Sequence, residues 1–178
     1  MQQTLLALLA LLVSMFLSFG QMQSSLRFQD QSVRGEIEQM ALGVGMQTIE
    51  VVRARAFDSA VIGTGEDVVL DPSSFSDIPT GLSKDCRLHP SQDNGTVQDC
   101  QAIGEFNETT GTVPFPLADD SLKFEVEVKV QYVCADLQPC SGPTGRKKVS
   151  VFVQDVAPSG QSAALPEPIR YSEVLAYP

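Results

Sequence analysis

TLLALLALLVSMFLSFG, Thr4 to Gly20, contains no charged side chain, and the first charge in the chain is Arg27. At ~1.5 Å of rise per residue, 20 or more helical residues are long enough to cross a ~30 Å hydrocarbon core. Past Phe28 the pattern changes character. Val33, Ile37, Met40, Val44, Val51 and Ala54 recur at three- to four-residue spacing, and Arg34, Glu36, Glu38, Gln39, Arg53 and Arg55 supply polar positions. That is the period of an amphipathic helix. The expectation is one helix from about Gln2 to Ser59, on the order of 85 Å long, apolar all round in its first third and one-sided afterwards. Such a helix is several times the width of a ~100-residue domain, so most of it must find partners outside its own head. The first section needs either lipid or other helices.

Two plainer readings compete for this segment. A secretory signal would carry a basic region before its apolar core, and here the apolar run starts almost at the first residue. A simple membrane anchor would normally be flanked by Lys or Arg, and none precedes the run. Glycines qualify the helix itself, since each costs ~1 kcal/mol relative to Ala. Gly20, beside Ser18, Ser24 and Ser25, marks a place where the helix loosens. Gly43 and Gly45 are read as sites of close approach by a neighbouring helix.

From Val61 onward helical periodicity stops and turn chemistry takes over: Gly63-Thr64-Gly65, Asp71-Pro72, Pro79, Asn94-Gly95 and Pro114-Phe115-Pro116. Phe124 to Tyr132 alternates apolar and polar residues strictly, and Val149, Val151 and Val153 alternate in the same way. These are two half-buried strands. Pro139, Gly142, Pro143 and Gly145 lie between them, predicting an antiparallel hairpin with a long tip.

The four cysteines fall as two close pairs, Cys86 with Cys100 and Cys134 with Cys140, although four cysteines permit three connectivities. Sequence-local pairing is expected. Zinc sites favour short C-x-x-C spacings with histidines, whereas here the gaps hold 13 and 5 residues and the single histidine is His89. Two disulfides are the better reading, and they imply an oxidising compartment. A Cys134–Cys140 bridge would staple the hairpin tip. A Cys86–Cys100 bridge would close a surface loop and offset ~3 kcal/mol of chain entropy in a simple loop model.

Residues 155–178 contain Pro158, Pro166, Pro168 and Pro178, which argues against regular structure. Ile169, Tyr171, Val174, Leu175 and Tyr177 are nevertheless apolar, so this tail is expected to dock, on its own head in the simplest case.

No nucleophile motif, phosphate loop, dinucleotide fingerprint or zinc helix is present, so no catalytic residue, metal ligand or cofactor is assigned and an enzyme is not expected. His89 reads as a solvated loop histidine. Gly65-Glu66-Asp67 and Asp119-Asp120 are short acidic clusters without the spacing of a calcium loop. Asn94-Gly95-Thr96 and Asn107-Glu108-Thr109 match the glycosylation sequon, making Asn94 and Asn107 candidate acceptors. Twelve Lys and Arg against 22 Asp and Glu give a net charge of −10, which argues against nucleic acid or an anionic lipid surface as a partner.

In order along the chain, the apolar helix, its continuation ending IEVVRARAFDSA (Ile49–Ala60), and the segments FEVEVKVQYV (Phe124–Val133) and KKVSVFV (Lys147–Val153) resemble the type IV pilin-like superfamily of pilins, minor pilins and pseudopilins. The resemblance covers roughly residues 1–62 and 122–154. It implies an α+β fold with a long N-terminal helix packed on an antiparallel sheet. It also implies residence in the cytoplasmic membrane before assembly, a pilus assembly machinery as partner, and self-association into a helical filament at the cell surface. The assembly surface would comprise Leu5, Leu6, Leu8, Leu9, Leu12, Val13, Phe16, Leu17 and Phe19. The chain departs from the family in showing no short basic leader, so Met1 is expected at the mature terminus unless processing differs. The family's acidic fifth residue is Leu5 here, so its charge pairing in assembly does not carry over.

The predicted organisation is therefore an assembly or transmembrane helix (1–60), a disulfide-bearing β-rich head (61–154) and a Pro-rich tail (155–178). A structural filament subunit leads. A single-span extracellular binding module and a secretion pseudopilin stand as alternatives.

Overall fold

The computed structural model describes residues 2–62, 71–80, 86–89, 99–116, 121–157 and 163–177, with side chains described for all of these except 2–8, 10 and 121. It contains one long helix, α1 (Gln2–Arg53), followed by four strands: β1 (Thr109–Pro116), β2 (Ser121–Tyr132), β3 (Arg146–Asp155) and β4 (Ile169–Ala176). The strands form one antiparallel sheet in the order β1-β2-β3-β4. This is the predicted α+β class. The chain divides into two compact units, Met1–Ile37 and Glu38–Pro178, so the division falls within α1 and not at its end.

In the second unit, α1 buries Ala41, Val44, Thr48, Ile49 and Val52. Their three- and four-residue spacing is a single helical stripe. The predicted stripe is met in part: Val44 is buried and Ile37, Met40 and Val51 are half-buried, whereas Val33 and Ala54 are exposed. Small and weakly polar residues decide the true contact face. Thr48 is fully buried because its hydroxyl donates to the Val44 carbonyl at 2.9 Å. Gly45 lies where an added Cβ would sit 3.5 Å from Val153 Cγ2 and 3.7 Å from Tyr171 Cβ. Its role is therefore helix-on-sheet packing inside the head, in place of the helix-on-helix contact expected. Gly20 and Gly43 have nothing within 4 Å of such a Cβ.

The sheet supplies the opposing layer. Phe124, Val126, Val128 and Val130 of β2 are buried together with Val149, Val151 and Val153 of β3, and the register pairs Val126 with Val153, Val128 with Val151 and Val130 with Val149. Both predicted strands thus turn their valines to one face. Two further strands were not foreseen. Pro114 and Pro116, read as turn residues, lie in β1, an outer strand of the sheet. An edge position tolerates proline because no ladder hydrogen bond is demanded from its missing N–H. The tail contributes β4, where Ile169, Tyr171, Glu173 and Leu175 are half-buried and the residues between them exposed. Pro158, Pro166 and Pro168 precede the strand in sequence and Pro178 follows it, and Asp155 anchors the return by accepting from Ala164 N at 2.7 Å and Leu165 N at 2.9 Å.

The helix ends six residues earlier than the predicted Ser59. Arg55 N–H bonds the Val52 carbonyl, tightening the last turn. Ala56 then leaves the helix to pair with Ala102 in a parallel bridge, donating to Gln101 O at 3.0 Å and accepting from Ile103 N at 2.9 Å. Both disulfides join the sequence-local partners, Cys86 to Cys100 and Cys134 to Cys140.

Among the described residues no helix is long and apolar enough to cross a membrane, and the transmembrane reading of Thr4–Gly20 falls partly outside the described side chains. From Leu11 onward Ser14, Ser18, Gln21, Gln23, Ser24 and Ser25 dilute the apolar run, and the side chains of residues 2–8 lie outside those described.

Substitutions at the two head glycines of α1 separate these packing roles. Gly43→Ala should stabilise the protein by up to ~1 kcal/mol through helix propensity. Gly45→Ala, which meets ordinary contact distances, should be neutral or mildly stabilising, whereas Gly45→Leu should cost ~1–3 kcal/mol by overpacking the sheet. Denaturant unfolding followed by circular dichroism measures all three.

Candidate functional site

Two features of the chain carry candidate function, and each belongs to one unit. In the first unit the described part of α1 is rich in large apolar side chains that nothing covers. Leu9, Leu12, Val13, Phe16, Leu17 and Phe19, all assigned to the assembly surface, are 50–78% exposed, and Leu11, Met15, Met22, Leu26 and Phe28 share this exposure. Leu5, Leu6 and Leu8 lie within α1, but their side chains fall outside the described set. At 100° per residue the apolar side chains from Leu9 to Phe19 point to nearly every side of the helix. A soluble surface helix shows one apolar stripe, and a helix apolar all round belongs in a buried setting.

In the second unit a charged pair lies at the heart of the head. Lys147 is 1% exposed and Asp58 2%, and Lys147 Nζ approaches Asp58 Oδ2 to 2.6 Å while also donating to the Phe57 carbonyl at 2.6 Å. The carboxylate is fully engaged. Tyr132 OH is 2.8 Å from Asp58 Oδ2 and also 2.8 Å from the Ser76 carbonyl, and backbone N–H groups of Ser76 and Ala60 donate to Oδ1 at 2.9 and 3.1 Å. The ammonium also lies 4.7 Å from the Phe57 ring centre and 4.9 Å from that of Tyr132, within cation–π range.

Burial opposes the charge on Asp58. The hydrogen bonds from Lys147, the Ser76 and Ala60 backbones and Tyr132 outweigh it, holding its pKa down at about 2. The same burial lowers the pKa of Lys147, with Asp58 pulling against it. The Tyr132 phenol is pushed up, first by burial and then by its hydrogen bond to the carboxylate.

Register explains how distant residues converge. Tyr132 and Lys147 are direct cross-strand partners at the closed end of the β2–β3 hairpin. Asp58 follows the helix exit and caps the short 3-10 turn Ser59–Val61. A pocket of about 110 Å³ opens beside the pair, lined in part by Ser76, Pro79, Gly104 and Glu105. Ligand clefts typically enclose ~300–1,000 Å³, so this arrangement suits anchoring better than substrate binding.

Sequence reasoning did not find this cluster, although a signal existed. Lys147 shares the inward parity of Val149, Val151 and Val153, and a lysine at a core position needs a buried acid.

The remaining candidates are distributed elsewhere. His89, read as solvated, is half-buried; its Nε2 is 3.0 Å from Gln47 Oε1, and burial lowers its pKa. Asn107 is a structural tie: its Nδ2 donates to Pro79 O at 2.8 Å and its Oδ1 accepts from Val130 N at 2.9 Å. Asn94, Glu66, Asp67, Asp119 and Asp120 lie outside the described residues.

Compared with known proteins, the chain matches no family, no curated protein and no solved structure.

Breaking the buried pair from one side, with Lys147→Met, should cost ~3–5 kcal/mol by stranding Asp58, and adding Asp58→Asn should recover much of that loss. The pair also sets an acid dependence. The Asp58 pKa is depressed from its ordinary 3.8 to about 2, so its stabilisation is present above pH ~4 and lost as pH falls through about 2. The wild type should therefore lose ~2 kcal/mol more than the double variant on acidification from about pH 5 to about pH 1. Urea unfolding across that range checks the sign.

Proposed function

We propose that the chain is a structural subunit of a pilus-like filament outside the cell, polymerising through the apolar section of α1 while the sheet-bearing head faces solvent. One observation carries this reading: the exposed apolar side chains of Leu9 to Phe28, distributed around the helix with no cover in the single chain. Fully burying one leucine- or phenylalanine-sized side chain is worth ~1.5–3 kcal/mol. Several such side chains per copy supply the drive for self-association. Where the alternative surroundings are lipid, helix packing replaces much of that drive.

Three other features agree with this role. The order of segments resembles the type IV pilin-like superfamily. Two disulfides in the head suit an oxidising exterior. A net charge of −10 keeps the outward surface soluble. The assembly partner is a second copy of the chain, and a dedicated assembly machinery would deliver it. A pseudopilin role in secretion uses the same contacts over a shorter polymer.

Negative-stain microscopy of the purified full-length chain tests the proposal. Wild-type protein should form uniform filaments. Leu12→Lys and Phe16→Lys should abolish them while leaving the head's circular dichroism and both disulfides intact. Wild-type protein that stays monomeric, or lysine variants that polymerise normally, would falsify it.

A further inference from the structure

Lys147 Nζ lies 2.6 Å from Asp58 Oδ2 and 2.6 Å from the Phe57 carbonyl oxygen, and both charged side chains are almost wholly removed from solvent. Asp58 Oδ1 accepts from the Ser76 and Ala60 N–H groups at 2.9 and 3.1 Å. Tyr132 OH lies 2.8 Å from Oδ2 and 2.8 Å from the Ser76 carbonyl.

These are the parts of an acyl-transfer site. An amine becomes a nucleophile once it is free of its extra proton, and burial works in that direction at Lys147. The proton need not leave the pair, because its transfer from Nζ to Oδ2 turns two buried charges into a neutral amine and a neutral acid. The two backbone donors on Oδ1 form an oxyanion hole, at the roughly 2.7–3.1 Å that such donors require. Tyr132 donates to the other oxygen, the one that would depart. Reacting groups held in such an orientation reach effective concentrations on the order of 10⁵–10⁸ M.

An amide would suit this site better than the ion pair does. It removes two charges from a place where charge is costly to bury. Its oxygen, the former Oδ1, keeps both backbone donors, and its N–H keeps the Phe57 carbonyl. Tyr132 keeps the Ser76 carbonyl. The pocket of about 110 Å³ lined by both residues has room for a departing water, whose share of liquid volume is ~30 Å³.

We propose that Lys147 and Asp58 condense to an intramolecular amide. Nζ attacks Asp58 Cγ, the Nζ–Cγ bond forms and the Cγ–Oδ2 bond breaks. Of the three ammonium hydrogens, two leave with Oδ2 as water and one stays on the amide nitrogen. One ammonium and one carboxylate thus give one amide and one water, with no change of oxidation state. The bond ties the chain just past α1 to β3, so tension along α1 would reach the sheet without unfolding the segment between them. The acid dependence of the ion pair belongs to the chain before condensation, because the amide has no carboxyl left to titrate. The bond forms within one chain, so the proposal does not depend on the filament reading.

Intact-mass measurement of the folded full-length chain, with its disulfides reduced afterwards, tests the bond. The wild type should be about 18 Da lighter than its sequence, the mass of one water. Tandem mass spectrometry should find the Lys147 peptide joined to the Asp58 peptide, which separates this reaction from cyclisation at Asp58-Ser59, where the same water is lost within one peptide. Lys147→Arg keeps the positive charge and should retain the full mass. Tyr132→Phe keeps the ring and should slow the mass loss roughly a hundredfold in freshly synthesised protein, the scale of a lost proton donor. A folded wild-type chain that keeps its full mass after prolonged incubation at neutral pH would overturn the proposal, as would a water loss carried by the Asp58 peptide alone.

Discussion

The 2.6 Å contact between Lys147 and Asp58 is the point on which the head depends. Neither charge can be buried alone without a large desolvation cost, so whatever folds must bring these two residues together with their hydrogen-bond partners. Meeting that demand fixes three things at once. The chain must leave α1 soon after Arg53 so that Asp58 can turn inward. The β2–β3 hairpin must keep the register that sets Tyr132 opposite Lys147. The segment at Ser76 must lie close enough for its N–H and carbonyl to reach Asp58 and Tyr132. Phe57, Phe75 and Tyr177 stack with ring centres 5.1–5.5 Å apart beside the same junction, joining the last residues of the chain to it.

α1 meets two different physical settings along its length. Within the head, small residues let it approach the valine face of the sheet closely, and the buried stripe from Ala41 to Val52 is satisfied inside the chain. From Leu9 to Phe28 the side chains are larger, point to nearly all sides and find no cover in the single chain. The first setting gives stability to the subunit. The second gives it a reason to associate.

Much of the architecture was legible because the residues concerned obey a single period. The alternation from Phe124 to Tyr132 and from Val149 to Val153 gave two core strands, and the spacing of the cysteines gave both bridges. Where two local signals competed, the sequence reading failed. Prolines at 114 and 116 read as turns because their tolerance at a sheet edge is a tertiary property. The alternation of Ile169, Tyr171, Glu173 and Leu175 was masked by the prolines before it and by a glutamate on its inward face. Within α1, Thr48 was passed over because it is not hydrophobic and Gly45 was assigned to a helix–helix contact, although a self-satisfied hydroxyl and smallness are what the close helix–sheet contact requires.

Taken alone, the sequence determined that a long helix, uniformly apolar and then one-sided, precedes a disulfide-bonded β head, because helical and strand periods and cysteine spacing are written in neighbouring residues. Only the tertiary structure decided where that helix ends, which of its faces is covered, that the tail completes the sheet, and that Lys147 is held by Asp58. Those outcomes turn on contacts between residues as far apart as 58 and 147, where the cost of burying a charge is set by a partner that no local pattern identifies.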